Sequence, residues 1–234
     1  MIKAIFFDIF GTLVDWRTSL VDEIKKNKVI EVKDIHIEEL IINWRFEYQP
    51  ILNKVNNEKI PWMLLDDLHL ISLNKVLKKM GINYLSENKK LELVNLWHKL
   101  NPWKDVTKSL IFLNKDFVTS SLSNGNIELQ KNLVKYANLE FDFLISAESF
   151  KKYKPDLSVY LRAATSIGFK PKECALVASH KNDLMAASKV GFFTVFIKRD
   201  KEYGNFSHKF PKTLFSPNIS IKTLYELEAK IKKI

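Results

Sequence analysis

Four short polar segments carry the residue types from which a reaction centre could be built. They are Phe7-Asp8-Ile9-Phe10-Gly11-Thr12, Leu122-Ser123-Asn124-Gly125-Asn126, Tyr153-Lys154-Pro155-Asp156 and Val177-Ala178-Ser179-His180-Lys181-Asn182-Asp183. Carboxylates, a lysine, hydroxyls and a histidine are the groups of nucleophilic and acid–base chemistry. Singly, each segment is ordinary: Ser-Asn-Gly makes a good turn, and an Asp with a distant Lys is often a surface ion pair. What distinguishes them is position, because each follows an apolar run suited to a core strand, the third after a short loop.

The elements that would position these segments can be read from the apolar pattern. Residues 3–9, Lys-Ala-Ile-Phe-Phe-Asp-Ile, form a short apolar run that ends in Phe-Gly-Thr, as expected of a buried strand closed by a glycine turn. From 15 to 100 the spacing is three and four, through Leu20, Ile24, Ile37, Leu40, Ile41 and Trp44, then Met63, Leu64, Leu68, Ile71, Leu73 and Val76. That stretch predicts amphipathic helices and no strand. After Asn101-Pro102-Trp103, apolar runs at Phe117–Leu122, Phe143–Ser146, Cys174–Ala178 and Phe192–Ile197 alternate with helical stretches near 126–137, 156–167 and 182–189. Strands alternating with helices imply right-handed crossovers and a parallel sheet covered on both faces. The expected fold is therefore α/β, a Rossmann-like doubly wound sheet over 1–14 and 101–234, interrupted after its first strand by a helical cap over 15–100. In such a sheet all four polar segments meet at one edge, where ligands bind.

In this order, the four segments resemble the haloacid dehalogenase superfamily, and within it the L-2-haloacid dehalogenase (type II) branch. The likeness extends to Phe-Gly-Thr-Leu-Val-Asp-Trp-Arg near the start, to Trp97-His98-Lys99-Leu100-Asn101-Pro102-Trp103, and to Tyr153 through Tyr160. It implies that Asp8 attacks a substrate carbon, that the resulting ester is hydrolysed by water, and that Lys154 keeps Asp8 ionised. By the same resemblance Asp183 orients Lys154 and helps activate water, while Thr12 and Ser123 bind the Asp8 and substrate carboxylates. Arg45, in Asn43-Trp44-Arg45, matches the arginine that receives the halide, assisted by Asn124, and Tyr160 matches a tyrosine that positions these groups. Bland roles stand beside these: Arg45 as a bridge between domains, Tyr160 as core packing, Ser123 and Asn124 as turn-formers. The Trp97–Trp103 segment is expected to be a hinge, and Met63 and Leu64 to be cap core.

Most of the superfamily are phosphatases, and two residues turn the expectation away from them. The resembling phosphatases carry a second Asp two positions after the nucleophile, to protonate the leaving alcohol; here that position is Phe10. They also hold Mg²⁺ with an acid early in the last motif, where this chain has Ser179. The expected site therefore uses no metal and no cofactor, and it releases halide, which needs no proton. A Mg²⁺-dependent phosphatase of a small phosphate ester is the alternative, and a non-catalytic binding protein a third reading. The chain departs from the resembled dehalogenases at His180, where they carry Asn, and at Asn182, where they carry Trp. His180 is open to two readings, a further general base or a group that excludes the usual substrate.

Composition restricts the partners. Of 234 residues 46% are hydrophobic, enough for one sizeable core with an appended smaller unit. Net charge is +10, from 37 basic against 27 acidic residues; 33 of the basic residues are lysines, and arginine occurs only at 17, 45, 162 and 199. The lysines are scattered, without the runs or aromatic interleaving of a nucleic-acid binder. The expected partner is a small anionic substrate, drawn in part by the basic surface, and not nucleic acid or membrane. The N-terminal segment lacks the features of a signal peptide, and no eighteen-residue apolar run occurs, so a cytoplasmic location is expected. Relatives suggest a homodimer. The single cysteine, Cys174, lies in an apolar run and is expected to be a buried structural thiol.

Overall fold

In the computed structural model, which describes residues 1–28, 30, 36–210 and 213–232, six parallel strands form the core sheet. They are β1 (Ala4–Phe7), β2 (Val118–Ser123), β3 (Phe143–Ser146), β4 (Cys174–Ala178), β5 (Phe193–Ile197) and β6 (Ile219–Ile221), in the order β3-β2-β1-β4-β5-β6. β1 is central, with Phe7 paired to Ser121 on one side and Val177 on the other. The first connection thus runs to one side of β1 and a later one to the other, which opens a crevice beyond the end of β1. β6 is a strand that the sequence reading does not include; three residues, one of them fully polar, are too short for a period-2 pattern to stand out.

β1 and β4, at the centre of the sheet, are buried on both faces, which is why they read as continuous apolar runs. Ala4 and Phe6 point to one face, packed with Leu122, Leu176 and the helices α8 (Leu157–Ser166) and α9 (Lys181–Lys189). Ile5 and Phe7 point to the other, with Val177, Val195 and the helices α6 (Val106–Leu113) and α7 (Ile127–Tyr136). A short helix α10 (Leu227–Ile231) follows β6. Cys174 is buried in β4 and its thiol is pushed up to about 12 by burial, then by Glu173, so it stays protonated.

Between β1 and α6 the chain forms a helical cap: α1 (Trp16–Asn27), α2 (Ile37–Phe46), α3 (Tyr48–Asn56), α4 (Leu65–Lys79) and α5 (Glu87–Asn95). The segment expected to be a hinge is where the two strands linking cap and core are tied together. Asp15 N–H donates to Asn101 O (2.9 Å), Trp103 N–H to Leu13 O (2.9 Å), and Trp103 Nε1 to Gly11 O (3.1 Å). Trp97 is fully buried at the centre of the junction, stacked on His69 at 4.4 Å and in contact with Phe10, Trp16 and Trp44 at 5.5–6.2 Å between ring centroids. Burial lowers the pKa of His69 to about 3, so this ring packs as a neutral aromatic. Leu64 and Met63 enter α4; the Met63 carbonyl accepts from Tyr153 across the junction (2.6 Å). No helix among the described residues is long and apolar enough to cross a membrane.

Because Trp97 packs against both cap and core, truncation to Ala should destabilise the protein by about 3–5 kcal/mol. Urea denaturation measures this, and a loss under about 1 kcal/mol would show that the junction closes without it.

Candidate active site

The end of β1 delivers Asp8 into the crevice. Its backbone N–H still pairs with Val177 O (3.1 Å), so the ladder that orders the strand also aims the side chain. Lys154 comes from the loop before α8 and reaches Asp8 Oδ1 at 2.9 Å and Asp183 Oδ2 at 2.6 Å. Asn124 clamps the lysine backbone: its Oδ1 accepts from Lys154 N–H (2.7 Å) and its Nδ2 donates to Lys154 O (3.3 Å). Asp183, in the first turn of α9, accepts on its other oxygen from the Tyr160 hydroxyl. Thr12 donates to Asp8 Oδ2 (2.7 Å) and accepts from Ser179 N–H (2.9 Å).

These groups are all buried, so their charges are set by one another. Burial alone would raise Asp8; Lys154, His180 and Thr12 overcome it and hold the carboxyl well below the usual range, ionised at neutral pH. Burial would lower Lys154, yet Asp183 and Asp8 hold it above an ordinary lysine. Asp183 is raised, by burial first and by Asp8. Burial and then Asp183 keep the Tyr160 hydroxyl protonated, well above 10. The arrangement is an ionised carboxylate beside a fixed cation, at the floor of a cleft of about 740 Å³ between cap and core.

Arg45 is the cap's contribution to that cleft. It sits in the last turn of α2, 8% exposed, with its guanidinium 4.2 Å from the Tyr48 ring centre and 5.4 Å from that of Trp16. Its Nη1 is buried without a hydrogen-bond partner. Aromatic faces hold the cation in place and leave donor capacity for an anion in the cleft.

His180, the N-cap of α9, lies between two carboxylates: Nδ1 is 3.3 Å from Asp8 Oδ2 and Nε2 is 2.8 Å from Glu202 Oε1. Burial would depress it, but Glu202 and Asp8 raise it to about 10, so the ring is an imidazolium at neutral pH.

Of the nine residues singled out from sequence, Asp8, Lys154, Asp183, Arg45, Asn124 and His180 line the cleft. Thr12 and Tyr160 stand one layer behind, bonded to Asp8 and Asp183. Ser123 is fully buried and accepts from Gly125 N–H (3.0 Å), shaping the turn that holds Asn124. Sequence reasoning missed Glu202, Tyr48 and Tyr203. Tyr48 follows Arg45 at a spacing of three and could have been paired with it; Glu202 lies in Arg199-Asp200-Lys201-Glu202, which reads as a solvated charged turn. Among the described residues, no group of three or more His, Cys, Asp or Glu is placed to hold a metal ion.

Comparison with known proteins bears on this geometry. Residues 2–191 match the haloacid dehalogenase-like hydrolases. The chain is 31% identical over 206 residues to (S)-2-haloacid dehalogenase 1 of Pseudomonas sp. (strain CBS-3), covering 85% of each chain. It superposes on the crystal structure of an L-2-haloacid dehalogenase with a TM-score of 0.92 and 34% identity over the whole of both chains. It superposes on that of a defluorinating L-2-haloacid dehalogenase with a TM-score of 0.89 and 33% identity, covering 99% and 95%.

Two outcomes follow from the charges. Lys154→Met leaves two buried carboxylates without their cation and should cost about 3–5 kcal/mol of stability, with the Asp8 pKa rising toward and past the ordinary range; denaturant unfolding and carboxyl NMR titration measure both. His180 has a folded pKa raised from 6.5 to about 10. Its stabilisation is therefore complete below about pH 6.5 and is lost as pH rises through about 10. His180→Asn should flatten that part of the stability curve, and a curve as steep as the parent's would contradict the assignment.

Proposed function

As a member of the haloacid dehalogenase-like hydrolase family, this chain is, we propose, a hydrolytic dehalogenase that converts short L-2-haloacids or haloacetates to 2-hydroxy acids, without a metal. The observation that carries the reading is Asp8: a buried, ionised carboxylate at the cleft floor, fixed by Lys154 and Thr12, two residues before Phe10. That phenylalanine is 3% exposed and packs on Trp97, so the position holds a core side chain and no acid to protonate an alkoxide. Halide leaves without a proton, and the relatives named above are dehalogenases of this class.

In the proposed reaction Asp8 attacks Cα from the face opposite the halogen, forming an ester and releasing halide with inversion. Water then attacks the ester carbonyl, restoring Asp8 and freeing the hydroxy acid. Lys154 holds Asp8 ionised and Asp183 holds Lys154. The partnerless Nη1 of Arg45 is the donor we assign to the departing halide, with Asn124 beside it; Tyr160 positions Asp183. Ser123 and Thr12 act through the loops and through Asp8. The same reading proposes a division of the chain into core (1–14, 101–234) and cap (15–100), a cytoplasmic homodimer, and a small anionic substrate as the partner rather than nucleic acid.

Halide release should be measured with chloro-, bromo- and fluoroacetate and both enantiomers of 2-chloropropionate, with EDTA present. Release from haloacetates and the L enantiomer is expected, and Asp8→Asn should lower it more than about a thousandfold. Silence on every haloacid, together with metal-stimulated hydrolysis of phosphate esters, would replace this function with the phosphatase alternative.

A further inference from the structure

Glu202 is a buried carboxylate beside the cleft that neither displacement on Asp8 uses directly. Its carboxylate comes from the loop after β5 and is 2% exposed. Oε1 accepts from Trp16 Nε1 (3.0 Å) and pairs with His180 Nε2 (2.8 Å), while Oε2 accepts from Ser179 Oγ (3.3 Å). Arg17 fixes the backbone behind it, donating to Glu202 O and Lys201 O at 3.2 Å. Room is made by Gly11, at φ +83°, where a Cβ would stand 2.1 Å from Oε1. Burying a carboxylate this closely is costly unless it is paired, and its ionic partner is His180. The other face of that imidazole is turned to Asp8.

Asp183, the alternative acceptor for a proton from water, is already occupied, with Lys154 on one oxygen and the Tyr160 hydroxyl on the other. His180 is 20% exposed to the cleft and carries one nitrogen beside the Asp8 carboxyl group. Nδ1 lies 3.3 Å from Asp8 Oδ2, so a water bonded to that nitrogen would stand beside the carboxyl carbon of Asp8.

We propose that Glu202 makes His180 the base that activates water in the second half-reaction, and that alkylation of Asp8 is the event that arms it. The inference rests on the dehalogenase reading and deepens it. In the resting enzyme the imidazolium lies between two anions, Asp8 and Glu202. When an Asp8 oxygen bonds to the substrate carbon, the carbon–halogen electron pair leaves with halide and Asp8 becomes a neutral ester. One of the two anions holding the Nδ1 proton is then gone, and the proton passes to solvent through the cleft. Nδ1 accepts a proton from water as the water oxygen bonds to the ester carbon. Collapse breaks the bond to the alkyl oxygen, which takes the second water proton, and Asp8 regains its charge opposite a re-formed imidazolium. Overall, haloacid and water give hydroxy acid, halide and one proton.

The groups facing His180 are Asp8, just beyond β1, and Glu202 and Tyr203 from the loop after β5, the Tyr203 hydroxyl 3.2 Å from Nε2. Lys154 and Asp183 lie beyond Asp8, and Arg45 of the cap acts on Glu202. Glu202 is therefore a positioning residue that also tunes its partner.

Rapid-quench kinetics on the full chain with chloroacetate, read by halide release and whole-protein mass, separate the steps. For His180→Gln, turnover should fall about 10²–10⁴-fold, the first-turnover halide burst should fall far less, and ester on Asp8 should build toward one per chain. Glu202→Gln should also accumulate ester, and the acid limb of ester hydrolysis should move to lower pH, because loss of the anion weakens proton binding to His180. A structural Glu202 would slow the reaction without moving that limb, which overturns its assigned role. If Glu202→Gln does not fold, His180→Gln decides alone: burst and turnover falling together with no ester, or turnover unchanged, overturns the proposal. A wild type that releases no halide from any haloacid overturns the dehalogenase reading itself; a wild type that turns over while His180→Gln stays free of ester overturns only this inference.

Discussion

The site depends on keeping six charged groups balanced out of water. Asp8, Asp183 and Glu202 are opposed by Lys154, Arg45 and the His180 imidazolium, and all six are buried or nearly so. An isolated charge in such surroundings costs several kcal/mol, and losing one partner exposes the other to that cost. Each charge therefore constrains the elements that carry the rest. Lys154 can neutralise two carboxylates only because the loop before α8 and the start of α9 meet at the end of β1. Among these six groups, Arg45 keeps a buried Nη1 without a hydrogen-bond partner, a donor still open to an anion in the cleft.

The cap and core are joined by more than a two-strand crossing. Three of the four arginines work at this junction. Arg45 lies on aromatic rings in the cap, Arg17 gathers Glu38 and two carbonyls of the loop after β5, and Arg199 bonds Asp105 and the Thr12 carbonyl. A planar fork with five donors can bridge several acceptors at fixed angles, which lysine cannot. In a chain so rich in lysine, the use of arginine at these places follows from that geometry. The Trp16–Trp97–Trp44 cluster supplies the apolar half of the same joint.

Much of this architecture is legible in the amino-acid sequence. The parallel sheet, the alternation of its first five strands with helices and the cap follow from apolar periodicity, whereas α6, β6 and α10, of eight, three and five residues, do not stand out in the pattern. Asp8, Lys154, Asn124 and Asp183 were legible because each sits directly at or just beyond the end of a core strand, and parallel strands carry such positions to one edge. Arg45 was reached through resemblance, since nothing local in a helix shows which face meets the core. Glu202 was not legible at all: its neighbours are charged, its loop has no periodicity, and it is buried only because Arg17 and Trp16, some 185 residues away, fold over it.

The sequence by itself determined that a carboxylate, Asp8, stands at the end of the first strand, that Lys154 follows a later one, and that no acid occupies position 10. These are statements about residue type at a strand end, where local pattern and sheet topology leave little freedom. Only the tertiary structure decided what His180 faces and what becomes of its charge. A proton affinity depends on the nearest charges in space, and the two that matter here come from just beyond the first strand and from a loop near the other end of the chain.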